Sequence, residues 1–166
     1  SRKNALEIVK AIDPLEDISL VLVGKPTKYY EEIKAYCEEH NLSERVQLLS
    51  GVSMEDLEII YQLATVFCYP SVFEGFGIPI IEALFSKTPV ITSKGSCFPE
   101  AGGGHSIYVN LDRAATEIRE AIVKITTDEA LSTTMITEGY HYAQRFTDEA
   151  VFQELMKVYD QVRDKR

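Results

Sequence analysis

Two carboxylates and two glycines crowd into Glu74-Gly-Phe-Gly-Ile-Pro-Ile-Ile-Glu82. Gly75 and Gly77 let the backbone adopt conformations closed to other residues and approach a ligand closely. The apolar run Thr65-Val-Phe-Cys-Tyr69 before them reads as a buried strand, and a helical pattern follows from Pro79, a favoured first helical residue. A strand that ends in a glycine turn and opens a helix suits phosphate, because free N–H groups and the helix dipole both favour an anion there. The amides around Gly77 and Ile78 fit a diphosphate. A carboxylate would repel that group. Glu82, about one turn into the helix, is instead suited to accept hydrogen bonds from two neighbouring hydroxyls of a ribose. Glu74 can do the same for a sugar beyond the phosphates. Singly, each piece has a plain explanation: a helical Glu is ordinarily solvated, a G-x-G is often only a turn, and Phe76 fits a core. Position 80 is Ile, so the dinucleotide pattern G-x-G-x-x-G is not met. The conjunction carries the reading: hydroxyls on either side of a diphosphate describe a sugar nucleotide.

The elements that must position this turn can be read along the chain. Ser1 is placed to cap a helix from Arg2 to Ile12, which Asp13-Pro14 stops. Ser19 to Val23 reads as a buried strand ended by Gly24. Thr27 is placed to cap a helix to about His40, and Val46 to Leu49 is the next strand, closed by Ser50-Gly51. Ser53, with Asp56 three residues on, opens another helix. After the central turn and its helix to about Ser86 come Pro89 to Thr92 and Ser106 to Val109 as strands. Between them lies a loop, Lys94 to Gly104, with one helical turn. From Arg113 onward the pattern is helical, with Ile118, Ala121, Ile122 and Ile125 on one face. Short apolar strands alternating with helices predict an α/β fold: a Rossmann-like, doubly wound parallel sheet with helices on both faces. Such sheets bind ligands beyond the carboxyl ends of their strands. A half of this kind ordinarily starts with a strand, whereas the first helix here starts at residue 2. A strand upstream of Ser1 is therefore expected, with 1–166 as a single nucleotide-sugar-binding domain.

The totals narrow the choices. The chain has 166 residues, a net charge of −9, 45% hydrophobic and 26% charged residues. That size fits one domain with an adequate core. The acidic balance argues against nucleic acid, which needs clustered Lys and Arg. Cys37, Cys68 and Cys97 are widely spaced with no C-x-x-C pair, which points to neither zinc nor a redox pair and suits a reducing, cytoplasmic setting. No D-x-D is present, and His40, His105 and His141 are scattered. No nucleophile elbow or P-loop occurs. Paired carboxylates also suit a glycoside hydrolase, but a hydrolase has no need of a phosphate-type turn.

The segment resembles the donor-site signature of retaining glycosyltransferases with the two-domain GT-B fold, the group 1, mannosyltransferase-like family. Its pattern is Glu, seven residues, Glu, which Glu74 and Glu82 match. Arg2-Lys3-Asn4, Leu20 to Gly24, Val46 to Val52, Asp56-Leu57, Tyr61, Pro70-Ser71, Pro89 to Ser93 and Pro99-Glu100 also fall where the family has similar residues. The likeness covers residues 2 to about 110; the C-terminal helices match in type only. It implies the C-terminal, donor-binding half of the fold, with the N-terminal acceptor domain absent from this chain. It also implies transfer of a hexosyl group, mannosyl among the choices, from a nucleoside diphosphate to an acceptor hydroxyl with retention. By position, Lys3 and Glu74 would be catalytic, Lys3 by neutralising the departing diphosphate. A solvated first-turn lysine is the alternative for Lys3. Gly75, Phe76, Gly77, Ile78 and Glu82 would hold the donor, and Gly51 and Val52 the base. No metal or cofactor is expected. The partners implied are the nucleotide sugar, the acceptor domain, and a glycan or lipid-linked acceptor. Attachment at the inner face of a membrane would run through the missing half. The reading from another class is a non-catalytic nucleotide-binding or regulatory module of the same fold, which would have little reason to retain Lys3 with both carboxylates.

Overall fold

A computed structural model describes residues 2–163. Five parallel strands form two blocks. β1 (Leu20–Val23) pairs with β2 (Val46–Leu49), and β3 (Phe67–Tyr69), β4 (Val90–Ser93) and β5 (Ile107–Val109) pair in that order. The registers include Leu20 opposite Val46, Tyr69 opposite Thr92 and Thr92 opposite Tyr108. β1 and β3 each pair on one side only. The Ser1 cap and the strand expected ahead of it lie outside the described residues.

Helices cover both faces. α1 (Ala5–Ile12) and α6 (Ala114–Thr127) pack together, and their Ile8, Ala11, Ile12, Ile118, Ile122 and Ile125 share a core with Ile91 of β4 and Val109 of β5. The i, i+4, i+7 spacing on α6 is the stripe that the sequence shows, here buried. The other face carries α4 (Ile78–Phe85), α5 (Phe98–Gly102) and α7 (Glu129–Ala143), around Ile80, Leu84, Val90 and Phe98. Val9 of α1 turns to a third cluster with Ile33 and Cys37 of α2 (Lys28–Glu39). α1 therefore contributes to the cores of both sheet blocks. The remaining helices are α3 (Met54–Leu63) and α8 (Asp148–Arg163). Among the described residues no helix is long and apolar enough to cross a membrane.

Three local expectations change. α1 starts at Ala5 rather than Arg2, because Asn4 takes a left-handed conformation (φ 54°) and breaks the helix ahead of it. β1 is not buried on both faces: Val21 and Val23 are 44% and 43% exposed, and only Leu20 and Leu22 turn inward. Thr27 stands at the start of α2 without a side-chain cap bond. The loop after β4 holds its helical turn, α5, as read, and a short 3-10 turn, Gly103–His105, follows it. The Ser53 cap is as read: its hydroxyl accepts from Asp56 N–H at 3.0 Å.

Candidate functional site

The site forms where the chain leaves β3. Pro70 and Ser71 stay buried although the strand ladder has ended. Their backbone is held instead by side chains of β4. Thr92 Oγ1 donates to the Tyr69 carbonyl at 2.8 Å, and Ser93 Oγ donates to the Ser71 carbonyl at 2.7 Å. Both hydroxyl residues are fully buried, so these bonds also satisfy groups that would otherwise cost free energy. The turn after β4 grips the next stretch. Ser96 Oγ and Cys97 Sγ both lie within donating distance of the Glu74 carbonyl, at 3.2 and 3.4 Å. Gly77 is the N-cap of α4 with φ 88°, and a Cβ there would lie 2.9 Å from the Ala101 side chain. Glycine is thus required at position 77 by conformation and by close approach to α5.

Glu74 is fixed through one oxygen. Its Oε1 accepts from the Tyr69 hydroxyl at 2.7 Å, lies 3.1 Å from the Ser71 hydroxyl and 3.5 Å from an Arg2 guanidinium nitrogen. Burial pushes the Glu74 carboxyl up, but the two hydroxyls and the charges of Arg2 and Lys3 outweigh it and hold the group below its ordinary range. The N-terminal segment is tied to the same place. Val72 N–H donates to the Arg2 carbonyl at 2.9 Å, and the Lys3 ammonium sits over the Tyr69 ring, 5.4 Å from its centre.

Glu82 is held in a parallel way. The Tyr61 hydroxyl donates to its Oε2 at 3.1 Å. Tyr61 is 7% exposed, and its carbonyl in turn accepts from buried Thr88 at 2.6 Å. Burial first, and the neighbouring carboxylate second, push the Tyr61 phenol well above its ordinary range, so it keeps its proton. A groove of about 400 Å³ opens beside Glu82, lined by Met54, Leu57, Glu58 and Tyr61 of α3 and by Phe85 and Ser86.

Lys3, Glu74 and the Gly75–Gly77 turn are thus brought together. Gly51, at φ 70°, and Val52 form the turn into α3, the helix that lines the groove at Glu82. Phe76 and Ile78 are 55% and 57% exposed, so neither is a core residue. Phe76 lies edge to face with Phe146, with centroids 6.0 Å apart. Sequence reasoning missed Tyr61, Tyr69, Ser71, Thr92, Ser93 and Ser96 as supports of the site. One signal was present: hydroxyl residues stand at the carboxyl ends of both β3 and β4, where a purely structural strand end needs none.

Parallel α/β strands with helices on both faces, and a carboxylate-flanked glycine turn after β3, are the architecture of the C-terminal half of a GT-B glycosyltransferase fold. The chain belongs to the family of glycosyl transferases group 1, whose pattern matches residues 1–142. It is 38% identical over 97 residues to the O-antigen chain mannosyltransferase RfbU of Salmonella typhimurium, a stretch that is 58% of this chain and 28% of that protein. Among solved structures it is similar to sucrose-phosphate synthase from Thermosynechococcus elongatus. That match has a TM-score of 0.83 and 28% identity, covering 99% of this chain and 43% of the other. The HepE protein of Anabaena in complex with UDP-glucose superposes with a TM-score of 0.84 at 19% identity, over 96% of this chain and 46% of that one. The chain thus spans under a third of that relative and under half of each of those structures.

Proposed function

We propose that this chain binds a nucleoside-diphosphate sugar and supplies the donor half of a hexosyltransferase. In the longer protein, the bond between the anomeric carbon and the diphosphate oxygen breaks and a bond to an acceptor hydroxyl oxygen forms. The acceptor proton is released, and the diphosphate departs with the bonding electrons. Lys3 and the amides at the start of α4 neutralise that charge, without a metal ion. Glu74 accepts from hydroxyls of the sugar and Glu82 from the ribose. Gly75 to Ile78 meet the diphosphate, and Gly51 and Val52 the base. The observation that carries this reading is the pair of oriented carboxylates flanking the Gly75–Gly77 turn, with Lys3 beside one of them. Likeness to a mannosyltransferase, and to a protein solved with UDP-glucose, supports the class of donor. Retention of anomeric configuration, a mannosyl donor and a glycan or lipid-linked acceptor follow the family resemblance.

The test is thermal unfolding with UDP, GDP and their sugar conjugates. A ligand in hundredfold excess over its Kd stabilises by about 2.7 kcal/mol, a rise of several degrees that Glu82→Ala should abolish. No shift with any nucleoside diphosphate sinks the donor-site reading. The chain by itself should transfer no sugar, and turnover by it alone would overturn the assignment of the acceptor to another domain.

A further inference from the structure

The two site carboxylates have a feature in common that their spacing does not reveal. Each is gripped by a tyrosine hydroxyl, Tyr61 on Glu82 and Tyr69 on Glu74. The two tyrosines belong to one aromatic row. Tyr61 meets Phe67 edge to face, with centroids 5.1 Å apart at 79°, and Phe67 stacks on Tyr69 at 5.8 Å and 18°. Phe67 and Tyr69 share one face of β3 because side chains alternate along a strand. Tyr61 arrives from the last turns of α3. Both tyrosines are nearly buried, at 7% and 8% exposure, so their rings are locked by packing and their hydroxyls have fixed positions.

We infer that Tyr61 and Tyr69 are positioning residues of the donor site, each occupying part of one carboxylate and thereby aiming the rest of it at a ligand hydroxyl. This rests on the donor-site reading above. A carboxylate offers about four lone-pair positions. Tyr61 takes one on Glu82 Oε2. The three donors around Glu74 converge on Oε1, and Oε2 receives none of them. A free glutamate side chain rotates among several rotamers, and a ligand would have to freeze it. Here the protein has already restricted it, so hydroxyl binding carries less of that cost. Phe67 sets the separation of the two hydroxyl anchors, and so holds the ribose-reading and sugar-reading groups in register. Tyr69 also carries Lys3 on its ring face, which ties the cation to the same row.

Phenylalanine at either position removes the hydroxyl and keeps the ring, the packing and, at position 69, the seat for Lys3. Calorimetric titration of the chain and the variants Tyr61→Phe and Tyr69→Phe uses UDP, GDP, their 2′-deoxy analogues, UDP-glucose and GDP-mannose. The unaltered chain should prefer ribose over 2′-deoxyribose. Tyr61→Phe should lower affinity for the ribonucleotide by roughly two- to tenfold, the scale of immobilising one side chain, and shrink that preference. Tyr69→Phe should leave plain diphosphates unchanged and reduce the added affinity from the sugar. Variants that keep both preferences overturn the inference. So does an equal loss for every ligand, which would mark loosened packing, or an unaltered chain that ignores the 2′-hydroxyl. An unaltered chain that binds no nucleoside diphosphate at all is a different result, and overturns the donor-site reading itself.

Discussion

At the scale of the residue, Glu74 predicts a pH dependence. Its folded pKa lies below the ordinary value of 4.5. A carboxyl with a depressed folded pKa contributes stability that is fully present above the unfolded pKa and is lost as pH falls through the folded one. The urea midpoint of the unaltered chain should therefore exceed that of Glu74→Gln at neutral pH, and the gap should close below about pH 4. A gap that widens in acid would contradict the hydrogen bonds from Tyr69 and Ser71. Arg45 makes a second case. Its Nη1 donates to the carbonyls of Leu15 and Ile18 at 2.6 and 3.0 Å, and its Nη2 to that of Asp13 at 3.0 Å. These carbonyls lie at and beyond the end of α1, where the helical ladder has stopped, and that of Leu15 also accepts from Ile18 N–H at 3.2 Å. Hydrogen bonds to a charged group contribute about 1.5–3 kcal/mol each, and water recovers part of the loss. Arg45→Met should thus cost about 2–3 kcal/mol in denaturant unfolding, more than an ordinary surface change. Neither role was legible in the sequence. A tyrosine or arginine finds its partner through the fold: Arg2 reaches Glu74 from 72 residues away, beside a backbone bond from Val72 N–H to the Arg2 carbonyl.

At the scale of the element, the sequence was most informative where local chemistry decides. The Ser53 cap, the Val46–Leu49 strand and the stripe on α6 are as read, since each is set by neighbours along the chain. The start of α1 was misplaced because Asn tolerates the left-handed conformation but does not require it, so Asn4 alone does not mark the break. β1 was overestimated as buried because four apolar residues in a row hide which of them turn inward. α4 depends on Gly77 at its first boundary. Gly77→Ala would place a Cβ at φ 88° and 2.9 Å from Ala101. The left-handed conformation costs about 1–2 kcal/mol, and the approach to α5 adds to it. Thermal unfolding should register that loss, and nucleotide binding should weaken with it because the α4 amides shift. An alanine variant with unchanged stability and binding would contradict the geometry at this cap.

At the scale of the whole molecule, the sheet in two blocks makes α1 a structural bridge. It supplies Ile8, Ala11 and Ile12 to one core and Val9 to another. α8 is the opposite case. It has no buried residue, and Val151, Phe152, Leu155, Val158 and Tyr159 are all at least half exposed. Stability in a fold follows buried contacts. Hydrogen exchange should therefore be slowest in α1, α6 and β4, and fastest in α8 beyond its first turn. Equal protection of α8 and α6 in the isolated chain would contradict this picture. Fold class was legible at this scale because strand and helix patterns alternate along the chain. The split of the sheet was not, because periodicity tells which residues form strands and not which strands are neighbours.

The clamp on the loop after β3 has a consequence for how this surface can change. Thr92, Ser93, Ser96 and Cys97 all reach main-chain carbonyls of that loop, at Tyr69, Ser71 and Glu74. Carbonyls are present whatever side chain follows them. The outward residues Val72, Phe73, Phe76 and Ile78, each more than half exposed, are therefore free of any duty to hold the loop in place. On the proposed donor-site reading, exchanging those four side chains would alter what the loop meets while the scaffold beneath stays the same. In a library randomised over these positions, diversity should be tolerated at 72, 73, 76 and 78, and intolerance should gather at 77, 92 and 93. The loop behaves as an interchangeable face bolted on from behind.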